Sequence, residues 1–255
     1  MNIGIAGING RMGQLLVEAA RVAGHAVVGG TDQRPIANAD IPSMTIAELA
    51  SAADTVIDFT HATAVIPHAH ALAAAGTRWI LGTTGLSAAN DAAVAEASSR
   101  IAIVQAANFG PGITLLLALA RQLGAALPAE QYDAEILDMH HRQKVDAPSG
   151  TALALGRAVA EGRGVRLDDV KNSGRDGHTG ARAPGEIGFA ALRGGQIVGE
   201  HTLLFAAAGE QITLTHRAID RSAFAAGAIR AAEWAQTRDP GRYDMEHVMG
   251  LRRAS

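Results

Sequence analysis

Apolar and polar positions in the first hundred or so residues switch repeatedly between two periods. Short apolar runs of strand length at 2–7, 25–30, 53–60, 78–85 and 101–109 are separated by stretches with helical spacing at 11–23, 62–76 (despite Pro67) and 87–100. Repeated strand–helix units predict a parallel sheet with helices on both faces, and such sheets take ligands beyond the carboxyl ends of their strands. After Pro111 the pattern changes. Residues 113–127 read as an apolar helix, 132–139 alternate polar and apolar like a half-buried strand, and 152–160 read as a helix. Three closely spaced strand-like runs follow at 186–193, 199–206 and 211–218, joined by the turns Gly194-Gly195 and Ala208-Gly209-Glu210, which predicts a mainly antiparallel sheet. A final helix is predicted over 221–236. Residues 163–186, rich in Gly, Arg and Asp, read as a long loop. Its Arg175 and Arg182 are open to two readings, contact with a substrate or neighbouring subunit, or plain solvation.

The first strand-to-helix turn is Gly7-Ile8-Asn9-Gly10-Arg11-Met12-Gly13. A glycine turn that opens a helix is the dinucleotide-binding arrangement, with a pyrophosphate over the helix N-terminus. The spacing is G-x-x-G-x-x-G rather than G-x-G-x-x-G, so the general fingerprint is imperfect, and glycines at such turns often serve packing alone. The second strand ends in Thr31-Asp32-Gln33-Arg34. Asp32 stands where a carboxylate accepts the ribose 2′-hydroxyl of NAD, and Arg34 where a cation meets the 2′-phosphate of NADP. Use of NADH or NADPH is therefore expected. The fold class read from these features is α/β, a Rossmann-like doubly wound parallel sheet over residues 1–108 followed by an α+β domain over 109–220.

The densest chemistry lies in His140-His141-Arg142-Gln143-Lys144-Val145-Asp146-Ala147-Pro148-Ser149-Gly150-Thr151-Ala152. Two imidazoles and two permanent cations precede a helix start whose N-cap is Ser149 or Thr151. Free N–H groups and the positive end of the dipole at that start suit an anion, and Gly150 allows close approach. The chemistry that fits is a carboxylate-bearing substrate worked on by His and Lys. The plain alternative is surface polarity, an ordinary cap and a solvated Lys–Asp pair. Adjacent strand residues face opposite ways, so His140 and His141 do different jobs and make a poor metal chelate; no metal site is expected. His61, His68 and His70 read as surface residues.

Composition narrows the classes. The 255 residues carry a formal net charge of −3 with no block of like charge, which argues against nucleic acid or an anionic membrane as partner. There is no cysteine, so disulfides and thiolate catalysis are excluded. No signal segment is evident, and the Ala-rich runs are broken short of membrane-spanning length. A cytoplasmic protein is expected.

The block from His140 to Ala152 resembles the H-H-x-x-K-x-D-x-P-S-G-T-A signature of the 4-hydroxy-tetrahydrodipicolinate (dihydrodipicolinate) reductase family, and the G-x-x-G-R-M-G turn is the form that family uses. Gln143 stands where many members carry a third His, and Gly110 where relatives often have Ser. The resemblance, which runs nearly end to end, implies NAD(P)H-dependent reduction of 4-hydroxy-tetrahydrodipicolinate to tetrahydrodipicolinate in the diaminopimelate route to lysine. It implies His140 and Lys144 as the proton-handling pair, and His141, Lys144, Gly150 and Thr151 as ligands of the substrate carboxylates. Gly7, Asn9, Gly10, Arg11, Met12, Asp32 and Arg34 would hold the nucleotide. Gly82, Thr83, Thr84 and Ala106, Ala107, Asn108, Phe109 would lie on its nicotinamide side. It further implies a homotetramer built through the second domain, and a C-terminal segment, 221–255, that packs back on the nucleotide domain. Two other functions stay open. One is a dehydrogenase of an amino acid such as aspartate or homoserine, which needs the nucleotide half but not the His140–Thr151 block. The other is a nucleotide sensor without turnover.

Overall fold

The structure, a computed structural model, describes residues 1–36, 38 and 40–252. Its strands are β1 (Asn2–Ala6), β2 (Ala26–Thr31), β3 (Thr55–Asp58), β4 (Arg78–Leu81), β5 (Ala102–Gln105), β6 (Asp133–His140), β7 (Lys171–Asn172), β8 (Ile187–Arg193), β9 (Gly199–Ala206), β10 (Gln211–Ala218) and β11 (Gly241–Tyr243). The chain forms two compact units, residues 1–111 with 221–255, and residues 112–220.

In the first unit six strands lie in the order β11-β5-β4-β3-β1-β2, and every pairing is parallel. Alternating strands and helices leave the chain no other economical pairing. The helix Arg11–Val22 buries Gly13, Leu16, Val17 and Ala20, the one-sided spacing its pattern predicts. With the helix Ser222–Ala235 it covers one sheet face over Ile3, Ile5 and Ile57. The helices Ile46–Ala52, Val65–Ala75 and Ala88–Ser98 cover the other over Trp79, Leu81 and Ile103. Arg78 donates to the carbonyls of Ala235 (3.0 Å) and Gln236 (2.8 Å), satisfying the end of Ser222–Ala235.

Several local expectations change. Pro67 lies in the first turn of Val65–Ala75, where a backbone N–H has no helical partner to lose, and a 3-10 turn, Ala62–Ala64, precedes it. A further helix, Ile46–Ala52, starts at a capping box formed by Thr45 and Glu48. Strand β11 adds a further edge to the sheet; its three residues carry too little periodicity to declare themselves in the sequence.

The second unit holds a five-stranded sheet in the order β10-β9-β6-β8-β7. The antiparallel ladders β10–β9 and β9–β6 carry most of its residue pairings, and β8 and β7 extend it in parallel. The turn Gly194-Gly195 does not make a hairpin of β8 and β9, because β6 is inserted between them. The helices Pro111–Ala126 and Gly150–Gly162 bury Leu116, Leu155 and Val159 against Ile136, Phe189, Leu203 and Phe205. Gly156 makes room for the Phe189 ring, which a β-carbon would meet at 2.4 Å.

Residues 163–186 are not wholly loop. They contain a one-turn helix, Leu167–Val170, and β7. Arg175 pairs with Glu135 (2.9 Å) and Glu186 (3.1 Å), and Arg182 with Asp133 (2.7 Å) and Glu135 (2.8 Å). Both guanidiniums thus pair within their own chain, fastening this segment to the start of β6.

Candidate active site

In the first unit, β1 ends in a turn that only glycine fits. Gly7 has φ +80°, and a β-carbon on it would lie 2.8 Å from the Phe59 carbonyl oxygen. On Gly13 a β-carbon would lie 2.4 Å from the carbonyl oxygens of Gly7 and Ile8. Gly10 caps the following helix without a side chain, so its first N–H groups carry no side-chain acceptor from the cap. A cleft of about 410 Å³ lies over this turn, lined by Gly7, Gly10, Asp32, Arg34, Thr60 and His68 among others. Asp32 ties its far wall together: it accepts the Asn9 N–H (3.0 Å) and the Arg34 N–H (3.1 Å), while the Asn9 amide donates to the carbonyls of Arg34 and Pro35. The Arg34 guanidinium is 3.8 Å from Asp32 and 73% exposed. Arg11 is exposed at the helix start, and Met12 is half-buried against the core.

A buried carboxylate lies beneath the cleft. Asp58, at the end of β3, accepts from Thr60 N–H (3.0 Å), Thr60 Oγ1 (2.6 Å), His68 Nδ1 (2.7 Å) and Trp79 Nε1 (3.2 Å). His68 is therefore buried, not a surface residue, because it faces inward from its helix to this acid. His61 and His70 are exposed, as expected. Thr83 is buried with its hydroxyl turned toward Asp58 (3.4 Å), and Thr84 is exposed. Gly82 leaves space for the Phe59 ring, 2.4 Å from where its β-carbon would stand. The Phe109 side chain is buried and packs on Phe59 with ring centroids 5.5 Å apart. Ala106 and Ala107 line a separate hollow of about 380 Å³ with Tyr243, Asp244 and His247. The half-buried Asn108 accepts the Gly110 N–H through its side chain (2.7 Å). Gly110 faces Phe224, whose ring lies 3.1 Å from its missing β-carbon; a serine there would press on that ring.

In the second unit, β6 carries Ala134, Ile136, Asp138 and His140 on its buried side, so the apolar face turns polar at the strand's carboxyl end. Asp138 is fully buried. Its Oδ1 lies 2.9 Å from His140 Nδ1 and 3.3 Å from His201 Nε2, and its Oδ2 is 3.0 Å from Arg193 Nη2. Burial pushes the Asp138 carboxyl up, but His201, Ser149 and Arg193 outweigh it and hold the group far below the usual carboxylate range. Burial also pushes the His140 imidazole down, to about 4; Asp138 opposes this, while the charges of His201, Lys144 and Arg193 add to it. His140 is thus neutral at neutral pH, and Lys144 is close enough to affect its charge.

Beyond the strand, Lys144 lies in a turn closed by its N–H to the His141 carbonyl (3.1 Å). Its ammonium is 2.8 Å from Asp146, which holds the Asp146 carboxyl below its ordinary range. His141 is half-buried, with its Nδ1 unpartnered. Ser149 rather than Thr151 is the N-cap of Gly150–Gly162, accepting the Ala152 N–H (3.2 Å). Nothing stands within 4 Å of the position a Gly150 β-carbon would take, so the helix mouth is open there. The structure thus gathers His140 and Lys144 about one charged cluster, and Asp138 touches both His140 and the helix cap. Asp138, Arg193 and His201 were not singled out from the sequence. Alternation along 132–139 put Asp138 on the side of His140, but nothing local pointed to β8 or β9.

A parallel sheet with a glycine turn at its first strand, joined to a unit that gathers acid–base groups at a helix mouth, defines a nucleotide-dependent oxidoreductase of two units. The family described as "Dihydrodipicolinate reductase, N-terminus" matches residues 1–109, and "Dihydrodipicolinate reductase, C-terminus" matches 112–249. The chain belongs to the dihydrodipicolinate reductase family. It is 60% identical to the 4-hydroxy-tetrahydrodipicolinate reductase of Acidiphilium cryptum over 98% of both chains. It is 59% identical to that of Granulibacter bethesdensis, over 99% of this chain and 98% of the relative. A solved dipicolinate-bound dihydrodipicolinate reductase from Paenisporosarcina sp. TG-14 has the same fold, with a TM-score of 0.79 at 24% identity, covering 96% of this chain and 97% of that one. Aspartate dehydrogenase from Thermotoga maritima resembles the chain less, with a TM-score of 0.51 at 10% identity, over 91% of this chain and 95% of that one.

Proposed function

We propose that this chain reduces 4-hydroxy-tetrahydrodipicolinate to tetrahydrodipicolinate with NADH or NADPH, in the diaminopimelate route to lysine. The observation that carries the reading is the placement of His140 and Lys144 about a buried charged cluster at an open helix mouth, in a chain so similar to named reductases. The nucleotide, when bound, supplies the hydride, and the protein positions it and manages charge and proton. The glycine turn fits it: Gly7, Asn9, Gly10, Arg11 and Met12 shape a cradle for pyrophosphate. Asp32 receives the ribose 2′-hydroxyl of NADH, and Arg34, exposed beside it, the 2′-phosphate of NADPH. Gly82, Thr83 and Thr84, with Ala106, Ala107, Asn108 and the backbone of Phe109, border the nicotinamide side. In the second unit, His141, Lys144 and the first amides of Gly150 and Thr151 take the substrate's carboxylates, and His140 with Lys144 handles the proton. His140 enters the reaction neutral.

The two units act as a nucleotide-binding domain and a substrate-binding and oligomerisation domain. The active form is a cytoplasmic homotetramer assembled through the second sheet, which light scattering on the purified chain tests. No helix among the described residues is long and apolar enough to cross a membrane. The function is tested by following NAD(P)H absorbance with freshly generated substrate. His140→Ala and Lys144→Ala each lower kcat by about 10²–10⁴, the value of a positioned acid, while NADH binding is little changed. Near wild-type turnover in both variants removes these residues from the mechanism.

A further inference from the structure

The apolar faces of β6 and β9 turn polar at the same end. Asp138 and His201 stand opposite each other in the β6–β9 ladder, and both are buried. A lone carboxylate there would take up a proton unless surrounding groups held its charge. Ser149, Arg193 and His201 do so, each from a different part of the site, and His140 lies against the same carboxylate. Oδ2 accepts the Ser149 N–H (2.9 Å), at the cap of Gly150–Gly162. The same oxygen accepts from Arg193 Nη2 (3.0 Å), which also donates to the Asp146 carbonyl (2.7 Å) in the turn that carries Lys144. Oδ1 lies against His140 Nδ1 and His201 Nε2, and His201 Nε2 in turn meets Ser149 Oγ (3.2 Å).

We infer that Asp138 is a positioning residue that sets the His140 ring, the Lys144 turn and the helix mouth together. The inference rests on the reading of His140 as a proton-handling group. Only the Nδ1 side of His140 faces the carboxylate. The two atoms lie 2.9 Å apart, though out of line for a hydrogen bond, and His140 Nδ1 has no other partner. Asp138 therefore favours the tautomer with the proton on Nδ1 and leaves the Nε2 lone pair to exchange protons. Nε2 lies beside Gly199, where a β-carbon would stand 3.0 Å away, so glycine keeps that edge clear. The other charged or titratable groups acting on His140 are His201, Lys144 and Arg193.

Asp138, His140 and His201 also offer three ligand atoms within 4.8 Å of one another. A metal there would sit beside the Arg193 guanidinium on the same carboxylate and would compete with Ser149 Oγ for His201. Orientation of His140 is the use that fits the neighbours.

The test is a mutant cycle on kcat with Asp138→Asn, His140→Ala and the double variant, together with ¹⁵N NMR of the His140 ring in the wild-type holoenzyme. Asp138→Asn is expected to lower kcat by about 10²-fold, the scale on which losing an orienting carboxylate acts, with NADH binding unchanged. The double variant should be faster than the product of the two single effects, because Asp138 acts in part through His140, and the wild-type ring should carry its proton on Nδ1. A double variant slower by the product of the single effects overturns the inference, as does an Nε2–H ring or a metal that survives dialysis against chelator. Should Asp138→Asn fail to fold, the wild-type NMR result decides. His140→Ala with full turnover would instead overturn the reading of His140 itself, a separate outcome.

Discussion

Replacing Asp58 with alanine should destabilise the first unit far more than a surface change. Asp58 is fully buried and takes hydrogen bonds from the Thr60 amide and hydroxyl, His68 and Trp79. Removing it leaves these donors without their acceptor, the fully buried Trp79 indole among them. The Thr60 hydroxyl can rotate to another acceptor, and His68 can move its proton to the other ring nitrogen. The Thr60 amide and the Trp79 indole have no such escape. At about 1–3 kcal/mol for each stranded donor, plus the space left by the carboxylate, the loss comes to roughly 4 kcal/mol. For a chain of this size that is a fall of about 8–16 °C in Tm. Both tryptophans, Trp79 and Trp234, lie in the first unit, so their fluorescence on heating follows the unit that carries the change. Asp58→Asn, which keeps one acceptor oxygen, should lose about half as much. NADH should also bind less tightly, since Thr60 borders the cleft. An Asp58→Ala melting curve within about 3 °C of wild type would refute the reasoning, because the donors would then have found partners that the structure does not offer.

Three further expectations follow from the geometry. The His140 pKa is depressed from 6.5 to about 4, so between those values the unfolded chain binds a proton that the folded chain refuses. Stability of the second unit therefore falls as pH drops from about 6.5 to 4, by at most ~3 kcal/mol from this group; urea titrations by circular dichroism should show a flatter profile for His140→Gln, and parallel profiles would contradict it. In Gly13→Ala the new β-carbon meets two backbone carbonyl oxygens at 2.4 Å, so the turn must open and NADH should bind about 10²-fold more weakly, as read by fluorescence titration. Steady-state kinetics should show turnover with both NADH and NADPH, with Arg34→Ala raising KM for NADPH alone by about 10–100-fold; a preference of several hundredfold in the wild type would sink dual use.

The alternation of βα units, the glycine turn at Gly7, the Asp32–Arg34 pair and the block from His140 to Ala152 were all readable along the chain, because each is a local signal of period, spacing or cap. The capping box at Thr45 is an equally local signal. Alternation even placed Asp138 on the same strand face as His140. What it could not supply was the neighbour across that face. Arg193 reaches Asp138 over 55 positions, and Ser149 meets His201 over 52. The insertion of β6 between β8 and β9, the inward turn of His68 to Asp58 and the return of β11 to the edge beside β5 are choices of the same kind. Periodicity tells a residue which side is buried; only the packed sheets decide what waits there, and in this protein that decision is what brings a carboxylate to an imidazole and a helix mouth.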